Sequence, residues 1–390
     1  MIGVVTVGRS DYGIYQPVLR RIQADPDLQL HLMVTGMHLS PEFGLTIKAI
    51  EADGFAIGDR VEMLLSSDSP QAIAKSMGLG IIGMAQAYAR RQPDILVVLG
   101  DRFEMHAAAV AALPFRIPVA HIHGGELSEG AIDDSLRHSM SKLSHLHFVA
   151  MEEYARRVVQ LGEEPWRVTI TGAPGIDNLD SIELLSQQEL ETKYRLSLDP
   201  APLLVTFHPT TLEFADAAWQ AKECLAALES SGQRVVFTLP NADTGGQAIA
   251  HQIRDYVQTH DDASLIENLG TRDYLSLMSV AGAMVGNSSS GLIEAPSFAL
   301  PVVNIGTRQG GRVAASNVIH VGYNRAEIMK GIDTALRPEF RAGLEGMTNP
   351  YGSGKAAEMI VDVLKTVQLD DRLIRKRFHN LRDVGRSSDG

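Results

Sequence analysis

The sequence predicts an α/β protein built from two doubly wound domains that face each other across a cleft, and three observations predict it. The chain has 390 residues with 45% hydrophobic content, too long for one compact core and long enough for two. Short runs of Val, Ile and Leu alternate with longer amphipathic segments, the pattern of parallel strands joined by helical crossovers. That rhythm pauses at GAPGIDNLDS, residues 172–181, where Gly and Pro interrupt one series before a second begins. The expected division is a first domain over 1–173, a second over 174–353 and a C-terminal segment over 354–390.

In chain order, strands are expected at 2–7 (IGVVTV), 28–36, 94–100, 117–123, 146–150 and 167–172. Helices are expected from YQPVLRRIQA, QAIAKSMGLGIIGMAQAYARR and EMHAAAVAALPF between them. The second series has strands at 202–208, 234–239, 263–268, 283–287, 300–306 and 317–322. The helical pattern GKAAEMIVDVLKTVQL, 354–369, is expected to cross back to the first domain, and the polar tail RKRFHNLRDVGRSSDG to be mobile.

A net charge of −12 with 35 scattered Lys and Arg argues against nucleic acid or an anionic membrane as partner. An anionic ligand must then be held by locally gathered cations. The single cysteine, Cys224, leaves no intrachain disulfide and no thiolate metal cluster, and is expected to be a buried thiol. MIGVVTVGRSDYG runs straight into a strand pattern without the features of a signal peptide, and no segment has 18 uninterrupted apolar residues, so a cytoplasmic location is expected.

Ligands of doubly wound sheets sit at the carboxyl ends of the strands. The segments there are GRSDYG, GDRFE, HIHGGE, FHPTT, LPNADTGG, GNSSSGLIE and NIGTRQGGR. VGNSSSGLIEAPSFALPVVNIG reads as strand, small-residue turn, a helix from about Leu292, and strand. Such a turn admits a diphosphate to the free N–H groups of a helix start, although Ser289 or Ser290 would equally serve as a cap. Neither this turn nor GRSDYG is G-x-G-x-x-G or a P-loop, which weakens dinucleotide and ATP readings. Arg9, Arg102 and Arg308 each follow a strand in a Gly-containing turn, where guanidinium forks suit phosphate oxygens.

The stretch AHIHGGELSEGAIDDSLRH, 120–138, concentrates the titratable groups. His121 and His123 share one face of a strand, with Glu126, Asp133, Asp134 and His138 close behind, a pattern open to zinc ligation or to acid/base chemistry without metal. A hydrogen-bonded core histidine is the preferred reading of His121. Asp101 directly follows a strand. Asp133 opens a helix, where capping and catalysis both remain open, and Asp133–Arg137 and Asp134–His138 fall at i, i+4.

Taken together, GRSDYG, VTGMHLSPEFG, LGDRFE, HIHGGELSEGAIDDSLRHSMSKLSHLHFVA, ARRVVQLGEEP, FHPTTLE, PNADTGG and GNSSSGLIEAPSFALPVVNIGTRQGGR resemble the hydrolysing UDP-N-acetylglucosamine 2-epimerases of sialic and related nonulosonic acid biosynthesis, over about residues 1–370. The resemblance implies a GT-B fold of two Rossmann-like domains and a nucleotide sugar in the cleft. It also implies no metal or other cofactor, and a homo-oligomer, dimer or tetramer. The implied reaction releases nucleoside diphosphate and free N-acetylmannosamine, or a close relative, by elimination to a glycal-type alkene and hydration.

Carried over by motif, Asp101 and Asp133 are the implied catalytic carboxylates. Some relatives have H-I-E where this chain has His121-Ile122-His123, so His123 is a third candidate and Glu126 its alternative. Arg9, Arg102, His208, Ser288, Ser289 and Arg308 are assigned to the diphosphate, Asn241 and Asp243 to the edge of the site, and Glu294 to the ribose hydroxyls. A non-hydrolysing 2-epimerase, a GT-B glycosyltransferase and a non-catalytic sugar-nucleotide sensor are the competing readings. UDP against GDP, and N-acetylglucosamine against a 2,4-diacetamido-trideoxy sugar, stay open.

Overall fold

A computed structural model of the protein describes residues 1–381 apart from 68, 130, 241, 242, 244 and 268. Among the described residues, the Val/Ile/Leu runs become short parallel strands in two sheets. The first sheet holds β1 (Ile2–Thr6), β2 (Leu30–Thr35), β3 (Ile57–Val61), β4 (Ile95–Leu99), β5 (Val119–Ile122), β6 (Leu146–Val149) and β7 (Val168–Ile170), in the order 3-2-1-4-5-6-7. The second holds β8 (Leu203–Thr206), β9 (Val235–Thr238), β10 (Ala263–Ile266), β11 (Ala283–Gly286), β12 (Val302–Ile305) and β13 (Val318–Val321), in the order 10-9-8-11-12-13. Each order reverses beside its first strand, which opens a crevice at the carboxyl ends of β1 and β4 and of β8 and β11.

Central strands such as IGVVT and ILVVL are buried at every position, as expected of a sheet covered by helices on both faces. The expected strand series omits β3. Its sequence IGDRV lies at the sheet edge and alternates half-buried with exposed residues, so it lacks the continuous apolar run that marks the other strands.

The helix Arg9–Ala24 contains Pro17, which cannot donate to the carbonyl four residues back. That carbonyl, on Gly13, instead accepts from Asn178 Nδ2 at 2.8 Å. Asn178 is buried and lies on the passage from the first sheet to the second, between β7 and β8. The return passage lies against it: Ala173 N–H donates to the Tyr351 carbonyl at 2.7 Å. Gly172 and Gly352 have φ of +82° and +128°, and a Cβ on Gly352 would lie 3.1 Å from Gly172 Cα. Any side chain at either position would press on the facing backbone and be strained by the left-handed φ.

After the return, Asp177 accepts from the N–H groups of Ala356 and Ala357 and so caps the helix Ala356–Thr366. Ala357, Ile360, Val361 and Leu364 of that helix join the core of the first sheet.

Two expectations are corrected. Residues 375–381 of the tail are docked, because Lys376 Nζ reaches the buried carboxylate of Glu163 at 2.7 Å and His379 N–H donates to the Gly162 carbonyl at 2.8 Å; residues 382–390 lie outside the described residues. The helix expected from Leu292 is a single turn, Ser290–Ile293, continued by a 3-10 turn at Ala295–Phe298 that begins ahead of Pro296. One turn carries little macrodipole, so its contribution to anion binding rests on N–H groups and hydroxyls.

Asn178→Ala leaves the Gly13 carbonyl buried without its donor, an expected loss of about 1–3 kcal/mol, measured as a lower urea midpoint at unchanged slope.

Candidate active site

The strand ends converge on one cavity of about 280 Å³ between the two sheets. Asp101 and Arg102 enter from the turn after β4, His123 and Glu126 from the loop after β5, and Asp133 and Arg137 from the helix Asp133–Leu143. The facing wall carries His208 after β8, Ser288, Ser289 and Glu294 after β11, and Arg308 and Arg312 after β12, with Arg9 at the start of its helix. The structure thus brings eleven of the thirteen sequence-derived candidates to one cavity wall. Asp243 stands beside it, 3.5 Å from Arg102 Nη1, and Asn241 lies outside the described residues.

At the carboxylate end, Arg137 is 1% exposed. Its Nη1 donates to the His123 carbonyl at 2.7 Å and its Nη2 to Asp101. Arg137 therefore pairs with Asp101 rather than with Asp133 one helical turn away, because the Arg137 guanidinium is directed inward to the loops after β4 and β5. Arg312 Nη2 stands 3.3 Å from Glu126 and 3.8 Å from Asp101. Burial works to raise Asp101, and Arg137, Arg312 and Arg308 overcome it and hold the carboxyl below its ordinary value. For Asp133 the balance is opposite: burial, then the nearby Asp101 and Asp243, push it up to about 7.

His123 has φ +64°, a strained value for a side chain of its size, fixed by the Arg137 bond to its carbonyl. Its Nδ1 lies 2.6 Å from Glu126 Oε1, and its Nε2 has no hydrogen-bond partner among the described residues. Against burial, His123, Arg312 and Arg137 keep Glu126 well below the usual carboxylate range. With Nδ1 engaged by Glu126, Nε2 is the ring nitrogen left toward the cavity. His121, by contrast, is committed to structure: Nε2 lies 2.7 Å from the Gly100 carbonyl and Nδ1 3.3 Å from Ser141 Oγ. Asp134 and His138 pair at 3.6 Å as the spacing predicts.

At the other end, Asn287 is fully buried and organises the wall. Its Oδ1 accepts from His208 N–H at 2.7 Å, its Nδ2 donates to the His208 carbonyl at 2.8 Å, and its own carbonyl accepts from Arg308 Nη1 at 3.1 Å. Ser289 makes no side-chain capping bond, so its hydroxyl is not committed to the helix turn. Burial, then Arg308 and Arg102, press His208 far below the ordinary histidine value and keep it neutral. Arg102 is less available to an anion than its sequence position implies, because Nε and Nη2 form a bidentate pair with buried Glu104 at 3.1 and 3.0 Å. Glu294 is buried with Oε2 unpartnered among the described residues, and burial raises its carboxyl.

Arg137, Arg312 and Asn287 escaped the sequence-based selection of site residues. Arg312 and Asn287 stand inside the conspicuous runs GTRQGGR and GNSSSG, a cue that was available. Nothing in the local sequence sends Arg137 to Asp101, which lies 36 residues away.

Two Rossmann-like halves, with opposed carboxylates and an arginine-bearing wall meeting in the cleft between them, define a protein of the GT-B class. The chain belongs to the UDP-N-acetylglucosamine 2-epimerase family, whose sequence profile matches residues 20–365. It is 40% identical to the Campylobacter jejuni protein named GDP/UDP-N,N'-diacetylbacillosamine 2-epimerase (hydrolyzing), covering 97% of this chain and 99% of that one. It is 36% identical to the UDP-N,N'-diacetylbacillosamine 2-epimerase (hydrolyzing) of Legionella pneumophila, covering 95% and 97%. The fold matches a UDP-GlcNAc 2-epimerase from Neisseria meningitidis, crystallised with UDP-GlcNAc, at a TM-score of 0.80 and 21% identity, covering 93% of this chain and 99% of that one.

The raised Asp133 has a stability consequence. Its folded-state proton affinity exceeds the unfolded one, so the native state loses stability as pH rises from about 4 through about 7. Asp133→Asn removes that loss and is expected to be more stable than wild type at pH 8, by on the order of 1–3 kcal/mol, with the gap closing toward pH 4. Urea titrations at the two pH values check it.

Proposed function

We propose that this hydrolysing nucleotide-sugar 2-epimerase acts on a nucleoside diphosphate linked to a 2-acetamido hexose, and that the hexose is a 2,4-diacetamido-trideoxy sugar rather than N-acetylglucosamine. The two relatives named for N,N'-diacetylbacillosamine, at 40% and 36% identity over nearly the whole chain, support the choice of sugar. The observation that carries the mechanism is the opposed state of two carboxyls on one cavity wall, Asp101 held ionised and Asp133 pushed up to about 7. Such a divergence separates a base from an acid.

The hydrogen on C2 of the sugar is too weakly acidic for a carboxylate alone, so departure of the diphosphate must lead. As the C1–O bond breaks, the leaving group's charge is received by Arg308, Arg9, Ser288, Ser289 and the neutral His208, with Glu294 accepting from the ribose hydroxyls. Positive charge on the ring then acidifies C2–H, and Asp101 takes that proton as the glycal-type alkene forms. In the hydration step Asp133 gives a proton to C2 on the opposite face. His123 Nε2, its ring oriented by Glu126, draws a proton from the water that adds to C1. Arg102 and Asp243 border the phosphate end, with Asn241 assigned to the same edge by its motif. The nucleotide end is where UDP and GDP are to be told apart.

NMR in deuterated water with UDP- and GDP-linked N-acetylglucosamine and 2,4-diacetamido-trideoxy sugars tests the reading. The expected result is free, C2-inverted sugar carrying deuterium at C2, fastest with the diacetamido substrate; an intact epimeric nucleotide sugar, or tight binding without turnover, would contradict it. Asp101→Asn and Asp133→Asn are expected to lower kcat by roughly 10²–10⁴-fold with modest loss of nucleotide affinity. Arg308→Ala is expected to weaken UDP binding by about 10–100-fold in calorimetry, the worth of a charged hydrogen bond.

A further inference from the structure

Val313, the residue after Arg312, has both of its backbone polar groups taken by tyrosines. Its N–H donates to Tyr154 Oη at 3.1 Å, its carbonyl accepts from Tyr351 Oη at 2.9 Å, and the two phenols meet at 3.0 Å. An amide N–H only donates and a carbonyl only accepts, so the ring runs one way: Val313 to Tyr154, Tyr154 to Tyr351, Tyr351 back to Val313. Both phenols are fully buried. Burial, and then Glu126, pushes each of them up, so both keep the protons the ring requires.

Three parts of the chain meet at this ring. Tyr154 lies on the helix Glu152–Gln160 of the first half, Val313 follows β12 in the second, and Tyr351 stands on the returning passage, its carbonyl held by Ala173 N–H. One residue along, Arg312 spans both halves: its Nη1 donates to Gln309 Oε1 at 2.9 Å within the second, and the rest of its fork reaches the first. Its Nε donates to the Leu127 carbonyl at 2.9 Å and its Nη2 to Ser128 Oγ at 3.3 Å, beside Glu126 and Asp101.

We propose that Tyr154 and Tyr351 are positioning residues for the epimerase reaction: by fixing Val313 they set where Arg312 stands between Asp101 and Glu126, and they tie that position to the passage joining the two halves. The proposal rests on the reading of Asp101 as a reacting carboxylate. The groups facing Asp101 are Arg137 and Asp133 from one helix, Glu126 from the loop after β5, and Arg308 and Arg312 from the loop after β12. When a phenol hydroxyl is removed Val313 loosens and Arg312 withdraws, leaving Arg137 and Arg308 as the cations on Asp101, which then binds its proton at higher pH.

Tyr351→Phe and Tyr154→Phe test this, since each keeps its ring and its packing. The expected result is a kcat about tenfold lower with KM within about twofold, the acidic limb of the pH–rate profile moved upward, and the Asp101 carboxyl midpoint in ¹³C NMR moved the same way. In an Arg312→Ala background the same substitutions are expected to add nothing, because their effect passes through Arg312. An equal cost in both backgrounds, or an unmoved limb and midpoint, would overturn the proposal. Should the wild-type protein turn over none of the nucleotide sugars, the functional reading fails on that result alone. The Asp101 midpoint, which needs no turnover, then still decides whether the tyrosines set Arg312.

Discussion

The site depends on one buried cation. A guanidinium 1% exposed at Arg137 must find acceptors for its donors, since an unpaired charge in the interior costs far more than a single contact returns. It finds them in Asp101 after β4 and the His123 carbonyl after β5. The helix that carries Asp133 is thereby locked to the two loops that carry Asp101 and His123, and the left-handed turn at His123 is held by the same bond. Removing the cation would take from Asp101 the nearest of its three arginines and release that turn together, so the charge and the geometry of this wall are coupled.

The chain as a whole repels anions, at a net charge of −12. It still gathers cations on one cavity wall because they are brought from distant strand ends, and because part of the nearby acid is already spoken for: Glu126 by His123 and Arg312, Glu104 by Arg102. The same distribution separates the carboxyls. Asp101 lies among three arginines, whereas Asp133 faces Asp101 and Asp243 and has only the more modest pull of Arg308 and Arg102 to offset its burial. One arrangement of fixed charges both gathers cations on the cavity wall and holds two neighbouring carboxyls in opposite states.

How much of this could be read in advance follows from the range of each interaction. Strands buried on both faces announce themselves in consecutive residues, so β1, β4 and their neighbours were legible, and so were polar groups such as Asp101 and His208 placed just beyond them. The edge strand β3 was not, because half-exposed residues carry no apolar run. The partners of Arg137 and Arg312 were not either: an i, i+4 spacing suggested Asp133 for Arg137, and only the docking of the helix against the sheet turns it to Asp101. The tail was read as mobile from its polarity, yet Lys376 joins Lys142 and His147 on the buried Glu163 carboxylate. Burial, which decides the direction of Asp133, is a property of the assembled cleft and has no local mark.

The histidine at 123 also follows from this electrostatic setting. A carboxylate there would stand against Glu126 at hydrogen-bonding distance, and two carboxyls so placed cannot both ionise. One would take up a proton and cease to be a base. An imidazole avoids the conflict, since its Nδ1 engages Glu126 while Nε2 faces the cavity without a partner among the described residues. A histidine–glutamate pair thus occupies a place where two adjacent carboxylates could not both stay ionised.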